Sequence, residues 1–329
     1  MKNLITSKKF AIILSHKGPD GDSLGSSLAL SEYLNKINIL NKVIVPDDFP
    51  EYYNWLNGID QVEVASKNFS KVEEYFKASD LIFCLDFNHR SRVGPLLSPL
   101  LNNVINSKTT VVIDHHTYPE NFGDYELIDS NASSTSELVY RLIENNDDLD
   151  LIDEKIAEPI YLGIISDTGS FKYSSVSSST HKVASHLISV GLDHTRIHSK
   201  IYDQNEIAKI KLLGYSLQKI QVDVSSKLAY LSLTQEELKK FDFKKGDTEG
   251  FVNYCLSLKN VEVAAFLRED SNMIKISFRS KGKIKVNDFS KLHYNGGGHQ
   301  NAAGGAVYGT DMDAVLKDLV INFKSFCSD

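Results

Sequence analysis

The sequence is poor in cysteine, with three cysteines among 329 residues. Cys84, Cys255 and Cys327 form no CxxC pair, and an odd number of cysteines cannot all be paired within one chain. This pattern excludes a zinc site built from cysteine, and it is typical of a protein that works in the reducing cytoplasm.

The sequence also lacks a long apolar run near its N-terminus, where the longest one covers residues 10–14. A secretory leader needs a longer apolar core, and a membrane-spanning helix needs about 20 apolar residues. We therefore expect a cytoplasmic protein with no membrane partner. Its hydrophobic content of 42% is nevertheless sufficient for large buried cores, and a chain of 329 residues is typical of two domains.

An excess of positive charge is missing as well, because the net charge is −7. Binding to long duplex nucleic acid without sequence preference needs a basic face, so this function class is disfavoured. The charge is uneven: residues 1–222 carry a net −8 and residues 223–329 a net +1. Basic residues are concentrated at Lys275, Arg279, Lys281, Lys283, Lys285 and Lys291. This segment predicts either a site for a small acidic ligand or a solvated, lysine-rich hairpin.

Four short apolar runs lie in the first half of the chain, at residues 10–15, 81–86, 109–114 and 160–167. They are nearly continuous rather than alternating, which is typical of buried strands in a parallel sheet. Helical patterns accompany them at residues 23–35, 134–144 and 180–190. Strands that alternate with helices predict an α/β fold with a doubly wound, mostly parallel sheet.

A second, smaller module is predicted in the C-terminal part. Residues 196–222 have a helical pattern without a strand signal, and we interpret them as a helical linker. Beyond them, strands are predicted at residues 227–233, 261–268 and 273–279 and a helix at 287–294. We therefore expect a first domain over residues 1–195, the linker over 196–222, and a smaller α/β domain with a mixed sheet over 223–329.

Carboxylates and histidines follow the four predicted N-terminal strands. They are His16, Asp20, Asp22, Asp86, Asp114, His115, His116 and Asp167. Because ligands bind outside the carboxyl ends of the strands in an open α/β sheet, we expect these side chains to converge. Unpaired carboxylates at such distances would repel one another, and cations would remove that repulsion. One aspartate after a strand is more often a helix cap or a turn residue, but capping explains poorly a whole set with histidines attached.

The ligand types indicate which cation would bind. Four of the aspartates carry a charge of about −4 in total, which two divalent ions would neutralise. Oxygen and imidazole ligands without a thiolate favour Mn²⁺, with Mg²⁺ or Co²⁺ as alternatives. Two such ions are suited to displacement reactions at phosphorus. The sequence therefore predicts a two-cation site for phosphoester chemistry.

A glycine-rich segment lies in the second module, where Gly296, Gly297 and Gly298 precede His299. Consecutive glycines let backbone amides approach a phosphate or a base closely. His299 can hydrogen-bond a phosphate oxygen, and Arg279 can do so through two N–H groups at once. Taken in isolation, the glycines also fit a simple helix stop followed by a loop.

These motifs, in this order, resemble those of the DHH phosphoesterase superfamily. The resemblance rests on HxxxDxD at residues 16–22, Asp86, the triplet Asp114-His115-His116, Asp167, GGGH at residues 296–299 and the Ala-Ala-Gly-Gly run at 302–305. The resemblance covers essentially the whole chain, and the sequence is similar to the nanoRNase and pAp phosphatase branch of the superfamily. The resemblance implies a metal-binding DHH domain, a DHH-associated substrate-binding domain and an active site in the cleft between them.

The resemblance also implies a role for each residue. One cation would be held by His16, Asp20 and Asp86. The other would be held by Asp22, Asp86, His115 and Asp167, so that Asp86 bridges the pair and a water between the cations attacks the phosphorus. His116 would stabilise charge or protonate the leaving oxygen, and Asp114 would orient a histidine. The substrate would be bound by Arg279, Gly296, Gly297, Gly298 and His299.

The implied activity is hydrolysis of short oligoribonucleotides to mononucleotides and removal of the 3′-phosphate from 3′-phosphoadenosine 5′-phosphate (pAp). The partner would be a short single-stranded RNA or a mononucleotide bisphosphate. Three alternatives stay open: an inorganic pyrophosphatase or polyphosphatase, a phosphodiesterase for linear or cyclic dinucleotides, and a non-catalytic RNA-binding module. The sequence also leaves open whether the protein is a homodimer.

Overall fold

The chain forms two units that divide between Gln204 and Asn205. A computed structural model describes residues 1–327 of the chain. The division lies inside the region expected to be a helical linker, in which one helix ends at Tyr202 and another begins at Ile207. The domain boundaries at residues 195 and 222 stay a sequence-based prediction.

The first unit alternates strands with helices. Its strands are β1 (Phe10–Leu14), β2 (Leu40–Val45), β3 (Glu63–Val64), β4 (Leu81–Leu85), β5 (Thr109–Asp114) and β6 (Tyr125–Ile128). Its helices are α1 (Lys2–Thr6), α2 (Gly21–Lys36), α3 (Phe69–Ala78), α4 (Gly94–Val104), α5 (Thr135–Asn145), α6 (Glu154–Thr168), α7 (Ser178–Ser189) and α8 (His194–Tyr202). Short 3₁₀ turns are formed by Glu51–Tyr53, Ile59–Gln61, Arg90–Val93 and Leu149–Leu151.

The six strands of the first unit form a parallel sheet in the order β3-β2-β1-β4-β5-β6. Side chains of β1 enter two separate cores, with Ile13 in one and Ile12 and Leu14 in the other. Helices cover both faces, as a sheet of parallel strands requires. The predicted doubly wound α/β fold is confirmed, and three of the four predicted strands are present as β1, β4 and β5.

The fourth predicted strand is wrong, because residues 160–167 lie inside helix α6. The Asp153 side chain caps the start of α6 by accepting hydrogen bonds from the backbone N–H groups of Lys155 and Ile156. Gly169 ends the helix in the left-handed conformation, at φ +55°. Ten of the 12 residues from 154 to 165 that follow this cap are buried. A helix buried on nearly all sides has a continuous apolar run, which resembles that of a buried strand.

The second unit has a mixed sheet. Its strands are β7 (Gln221–Asp223), β8 (Leu228–Leu233), β9 (Val263–Glu269), β10 (Met273–Ser280), β11 (Gly297–His299) and β12 (Ala302–Tyr308). Its helices are α9 (Ile207–Gln218), α10 (Gln235–Lys240), α11 (Phe251–Leu256), α12 (Val286–His293) and α13 (Met312–Phe326). The order is β11-β12-β10-β9-β8-β7, in which β8 and β9 are parallel and the other pairs antiparallel.

The predicted C-terminal strands and helix are thus present, and the predicted α/β architecture with a mixed sheet is confirmed. The Ala-Ala-Gly-Gly run at residues 302–305, noted only as a motif, forms the first part of strand β12. Its glycines give little strand signal, because glycine has no side chain to pack on a sheet. Within residues 1–327, every helix is too short or too polar to span a lipid bilayer.

Helices α2 and α6 pack closely through glycine. A Cβ atom added at Gly25 of α2 would lie 2.4 Å from the carbonyl oxygen of Pro159 and 3.0 Å from the amide nitrogen of Gly163, both in α6. Backbone atoms cannot move away as a flexible side chain can, so the contact requires glycine. Because α2 begins beside the candidate site described below, this packing also helps to position its first turn.

We expect Gly25→Ala to lower the free energy of unfolding by about 1–3 kcal/mol, because it overpacks this helix interface. Urea unfolding followed by circular dichroism measures the change. The matched control is Gly214→Ala in the middle of α9, where an added Cβ meets no heavy atom of the described chain within 4 Å. That control should be neutral or stabilising by up to about 1 kcal/mol. Equal unfolding midpoints for the two variants would contradict the proposed close contact.

Candidate metal centre

The first part of the site lies where β1 leads into α2. His16 follows the strand, Asp20 is the N-cap residue of α2, and Asp22 lies in its first turn. One carboxylate oxygen of Asp20 accepts hydrogen bonds from the backbone N–H groups of Asp22 (3.2 Å) and Ser23 (3.0 Å). One oxygen of Asp20 therefore caps the helix, which is the common role of a single aspartate after a strand. The other oxygen, Oδ2, lies 3.7 Å from His16 Nε2.

The second part comes from the ends of β4 and β5. Asp86 follows β4 directly and has a backbone φ of +64°, a conformation that is unusual for a residue with a side chain. Asp114 is the last residue of β5, and His115 and His116 come next. Asp86 and Asp114 are buried, with 2% and 0% of their surface exposed. Burial of several carboxylates together is costly without counter-charges, so the surroundings must supply them.

Asp167 reaches the same place from a different element. It is the second-to-last residue of α6, and its Oδ2 lies 3.0 Å from His115 Nε2. The prediction that Asp167 follows a strand is wrong, because Asp167 lies in a helix. Its side chain nevertheless lies beside the other motif residues, as expected. All eight predicted residues of the first unit are brought together.

Asp86 belongs to one set of possible ligand atoms, with His16 and Asp20, and lies beside a second set formed by Asp22, His115 and Asp167. In the first set, His16 Nε2 lies 3.3 Å from Asp86 Oδ2, and Asp20 completes the group. In the second, His115 Nε2 lies 3.7 Å from Asp86 Oδ1 and 3.8 Å from Asp22 Oδ2. The two oxygens of one carboxylate thus face two different histidines, as a ligand shared by two cations would require.

His116 and Asp114 form a third pair beside these sets. Asp114 Oδ1 lies 2.7 Å from His116 Nδ1, and Asp86 Oδ1 lies 3.7 Å from the same nitrogen. A carboxylate at hydrogen-bond distance fixes the ring orientation of a histidine and favours a proton on the nitrogen that it faces. His116 is 7% exposed, so it is held inside the site rather than on the surface.

The residues present fit a divalent cation. His16 Nδ1 donates to the carbonyl oxygen of Lys17 (3.0 Å), and His115 Nδ1 faces the carbonyl oxygen of Ala132 (3.3 Å). Because a carbonyl oxygen only accepts, the Nε2 atoms of the neutral rings present lone pairs to the carboxylates. Such an arrangement needs either a proton or a cation between the groups, and a backbone carbonyl on the other ring nitrogen is typical of metal-binding histidines.

The pKa shifts describe the site when protons, rather than cations, lie between the histidines and the carboxylates. Burial alone lowers the pKa of His16, but Asp20 and Asp86 outweigh it and raise the pKa to about 10. The pKa of His115 also lies well above its usual range, since Asp167, Asp22 and Asp86 outweigh the effect of burial. Burial raises the pKa of Asp22, and the charges of Asp86 and Asp167 raise it further.

Sequence reasoning missed the residues that support the carboxylates. The backbone N–H groups of Thr135 and Ser136 donate to Asp22, at 2.7 Å and 2.9 Å. The Thr135 hydroxyl donates to Asp86 Oδ1 at 3.0 Å. Serines and threonines are concentrated at the start of the predicted helix at 134–144. That run was the available signal, because several hydroxyl residues at a helix start can also support ligands.

In the second unit, part of the glycine motif is explained by packing alone. Gly297–His299 form β11, which pairs with β12. A Cβ at Gly296 would lie 2.0 Å from the carbonyl oxygen of Gly304, and one at Gly298 would lie 2.5 Å from that of Ala302. A Cβ at Gly297 meets no heavy atom within 4 Å among residues 1–327. Close strand contact therefore accounts for two of the glycines and leaves Gly297 open to its surroundings.

Arg279 lies near the end of β10, opposite Ala302 of β12. Its Nη1 donates to the carbonyl oxygen of its neighbour Phe278 at 3.0 Å. On β10, Ile274, Ile276 and Phe278 are buried, so Arg279 belongs to the opposite, more exposed row. Buried and more exposed side chains thus alternate along β10.

Comparisons with known proteins agree with the motifs. The model of the DHH family, N-terminal domain, matches residues 11–164, and that of the DHHA1 domain matches residues 225–325. The chain is 27% identical to the bifunctional oligoribonuclease and PAP phosphatase NrnA of Bacillus subtilis, over 94% of this chain and 93% of that protein. It is 29% identical to the probable bifunctional oligoribonuclease and PAP phosphatase NrnA of Streptococcus mutans, over 94% of each.

A solved structure is similar over nearly the whole chain. An exopolyphosphatase-related protein from Bacteroides fragilis is 38% identical and superposes with a TM-score of 0.93, covering 99% of this chain and 94% of the other. The fold and the clustered carboxylates and histidines define an enzyme of the phosphoesterase class. The chain belongs to the DHH family, with a DHH domain followed by a DHHA1 domain. The family resemblance predicted from the motifs is thereby confirmed.

We expect Mn²⁺ to raise the melting temperature, because a cation that binds only the folded state stabilises it by about 2.7 kcal/mol at 100 times its dissociation constant. In EDTA, Asp86→Asn should be less stable than the wild type, since His16 and His116 outweigh burial, hold the pKa of the Asp86 carboxyl below its usual range and lose that charged partner in the variant. Its Mn²⁺-induced shift should nearly vanish. Differential scanning calorimetry measures both quantities, and an unchanged shift in the variant would argue against a ligand role for Asp86.

The Mn²⁺-induced shift should also be larger at pH 8 than at pH 6. Protons held by His16 and His115 compete with a cation for the same Nε2 atoms, so a higher pH favours the cation. A shift that is independent of pH would show that the cation binds elsewhere.

Proposed function

We propose that this phosphoesterase uses two divalent cations, with Mn²⁺ preferred, to hydrolyse short oligoribonucleotides to mononucleotides. We propose further that it removes the 3′-phosphate of pAp. The partner is then a short single-stranded RNA or a mononucleotide bisphosphate. Two relatives, each matched to this chain over nearly its whole length, have names that describe an oligoribonuclease and PAP phosphatase. These names support the proposed substrates.

The observation that carries the proposal is the position of the Asp86 carboxylate between two histidines. Its Oδ2 faces His16 at 3.3 Å and its Oδ1 faces His115 at 3.7 Å. Under the proposal, His16, Asp20 and Asp86 hold one cation, and Asp22, Asp86, His115 and Asp167 hold the other. A pair of divalent cations, when bound, supplies an activated water and neutralises the charge that develops on the phosphoryl oxygens.

The protein's own residues handle the proton and the orientation. Asp114, 2.7 Å from His116 Nδ1, stabilises a positive charge on that imidazole. His116 then donates a proton to the oxygen that leaves the phosphorus, or stabilises the charge on it. Asp114 acts on the substrate only through His116, so it is a positioning residue in this scheme.

The DHHA1 domain supplies the substrate-binding groups of the proposal. The space beside Gly297 would let a phosphate approach the backbone, and His299 and Arg279 provide donors for phosphate oxygens. Lysines that lie close to Arg279 in the sequence add positive charge to the same domain. A nucleotide-binding function for these residues explains why a domain of net charge +1 accompanies an acidic catalytic domain.

The direct test is to mix the purified protein with Mn²⁺ and a labelled RNA trimer, and separately with pAp. Mononucleotide release in the first reaction and phosphate release in the second are the expected results. Asp86→Ala should reduce turnover of both substrates by at least about 10³-fold, because it removes the shared ligand. Residual turnover close to the wild type would contradict the two-cation scheme.

His299→Ala should lower kcat/KM for pAp and the RNA trimer by about 10–100-fold, the loss of a charge-assisted phosphate contact. It should leave hydrolysis of bis-p-nitrophenyl phosphate almost unchanged, because that substrate has no second phosphate to hold. His293→Ala in the same domain is the matched control. Equal losses on all substrates would disprove the role assigned to His299.

A polyphosphatase is the second candidate function. It is favoured by the name of the 38% identical protein, which is exopolyphosphatase-related. Phosphate release from pyrophosphate and tripolyphosphate, compared with release from pAp at equal concentration, separates the two functions. Faster hydrolysis of the inorganic substrates would replace the nucleotide assignment.

A further inference from the structure

Thr135, the first residue of α5, contacts two of the clustered carboxylates with two different groups. Its backbone N–H donates to Asp22 Oδ2 at 2.7 Å, and its hydroxyl donates to Asp86 Oδ1 at 3.0 Å. Thr135 is fully buried. In the scheme proposed above it is not a ligand, and none of the motifs that identify the family includes it.

The hydroxyl restricts a degree of freedom that the backbone of Asp86 leaves open. The backbone of Asp86, at φ +64°, fixes where the side chain starts, but not the rotation of the carboxylate about its last torsion. A hydrogen bond to Oδ1 selects the rotation in which Oδ2 faces His16 and Oδ1 faces His115. Without that bond, the carboxylate can turn away from one of the two histidines.

The turn that carries Thr135 is itself held in place. Glu137, fully buried, accepts hydrogen bonds from the hydroxyls of Ser133 (2.5 Å) and Thr180 (2.9 Å) and from Arg141 Nη2 (2.6 Å). These contacts connect the start of α5 to the start of α7. The Thr135 hydroxyl is therefore presented from a rigid element, as orientation of a metal ligand requires.

We propose that Thr135 is a positioning residue that sets the orientation of Asp86 as the ligand shared by both cations. The inference rests on the two-cation function proposed above. The proposed role depends on the hydroxyl and not merely on the shape of the side chain. A replacement that keeps only the shape should therefore weaken cation binding, and one that keeps the hydroxyl should preserve it.

The test titrates metal-free protein with Mn²⁺ alone by isothermal calorimetry. Thr135→Val keeps the backbone N–H and the shape but removes the hydroxyl, and it should weaken Mn²⁺ binding by about 10–100-fold. Thr135→Ser keeps the hydroxyl and should bind within threefold of the wild type. The matched control is Thr110→Val, a buried threonine at the opposite end of β5, which should bind Mn²⁺ like the wild type.

The variants also separate positioning from general stability. Thermal melting in EDTA should show a larger loss of stability in Thr135→Val than in Thr110→Val, because the Thr135 hydroxyl donates to a buried carboxylate. Only Thr135→Val should also lose Mn²⁺ affinity. Wild-type affinity in Thr135→Val would overturn the inference. A loss of Mn²⁺ affinity well beyond threefold in Thr135→Ser would also overturn the inference. Because the serine variant keeps the hydroxyl, it tests the inference even if the valine variant does not fold.

The outcome is independent of the substrate assignment, because the titration contains no nucleotide. If the wild type binds two Mn²⁺ ions but hydrolyses neither RNA nor pAp, the proposed substrates fail and the role of Thr135 is still decided by the affinities. If the wild type binds no Mn²⁺, both proposals are overturned together. With bis-p-nitrophenyl phosphate as a generic substrate, Thr135→Val should lower kcat far more at limiting Mn²⁺ than at saturating Mn²⁺.

Discussion

Carboxylates crowd into one small volume of the first domain, and the surrounding structure is arranged around their mutual repulsion. Two unit charges 4 Å apart repel by about 4 kcal/mol at an effective dielectric constant of 20. Asp22 and Asp86 are buried, so water cannot screen them. The protein offers Nε2 atoms of His16 and His115 and backbone N–H groups at the start of α5, and divalent cations would complete the charge balance. Folding stability and the capacity to bind cations are therefore properties of the same groups.

The scaffold keeps these groups together by close backbone contact. Like Gly25 in α2, Gly163 in α6 is closely packed, because an added Cβ would lie 2.6 Å from Asp22 Oδ1 and 1.8 Å from Ser136 Oγ. A side chain at this position would displace the Asp22 carboxylate from the N–H groups that it accepts from. The interface between α2, α5 and α6 thus has a packing role and a role in the site, and the same glycine serves both.

Much of the site could be predicted because its ligands lie at the ends of recognisable strands. His16, Asp86 and His115 each follow a buried apolar run that forms a parallel strand, and parallel strands deliver such residues to one edge. The assignment failed for Asp167, since α6 is buried on nearly every side and its apolar run has lost the helical period. Two of the three consecutive glycines proved to be required by strand packing, a distinction that depends on where β12 runs and that a glycine run cannot reveal.

The sequence alone determined the kinds of ligand, their order along the chain and the α/β class, because these follow from residue type and short-range periodicity. Only the tertiary structure decided that one oxygen of Asp86 faces His16 while the other faces His115. That choice depends on the Thr135 hydroxyl, 49 positions away, and on helix contacts between α2, α5 and α6. The rotation of a buried carboxylate is set by its neighbours in space, and hydrogen bonds between distant segments leave no periodic trace in a sequence.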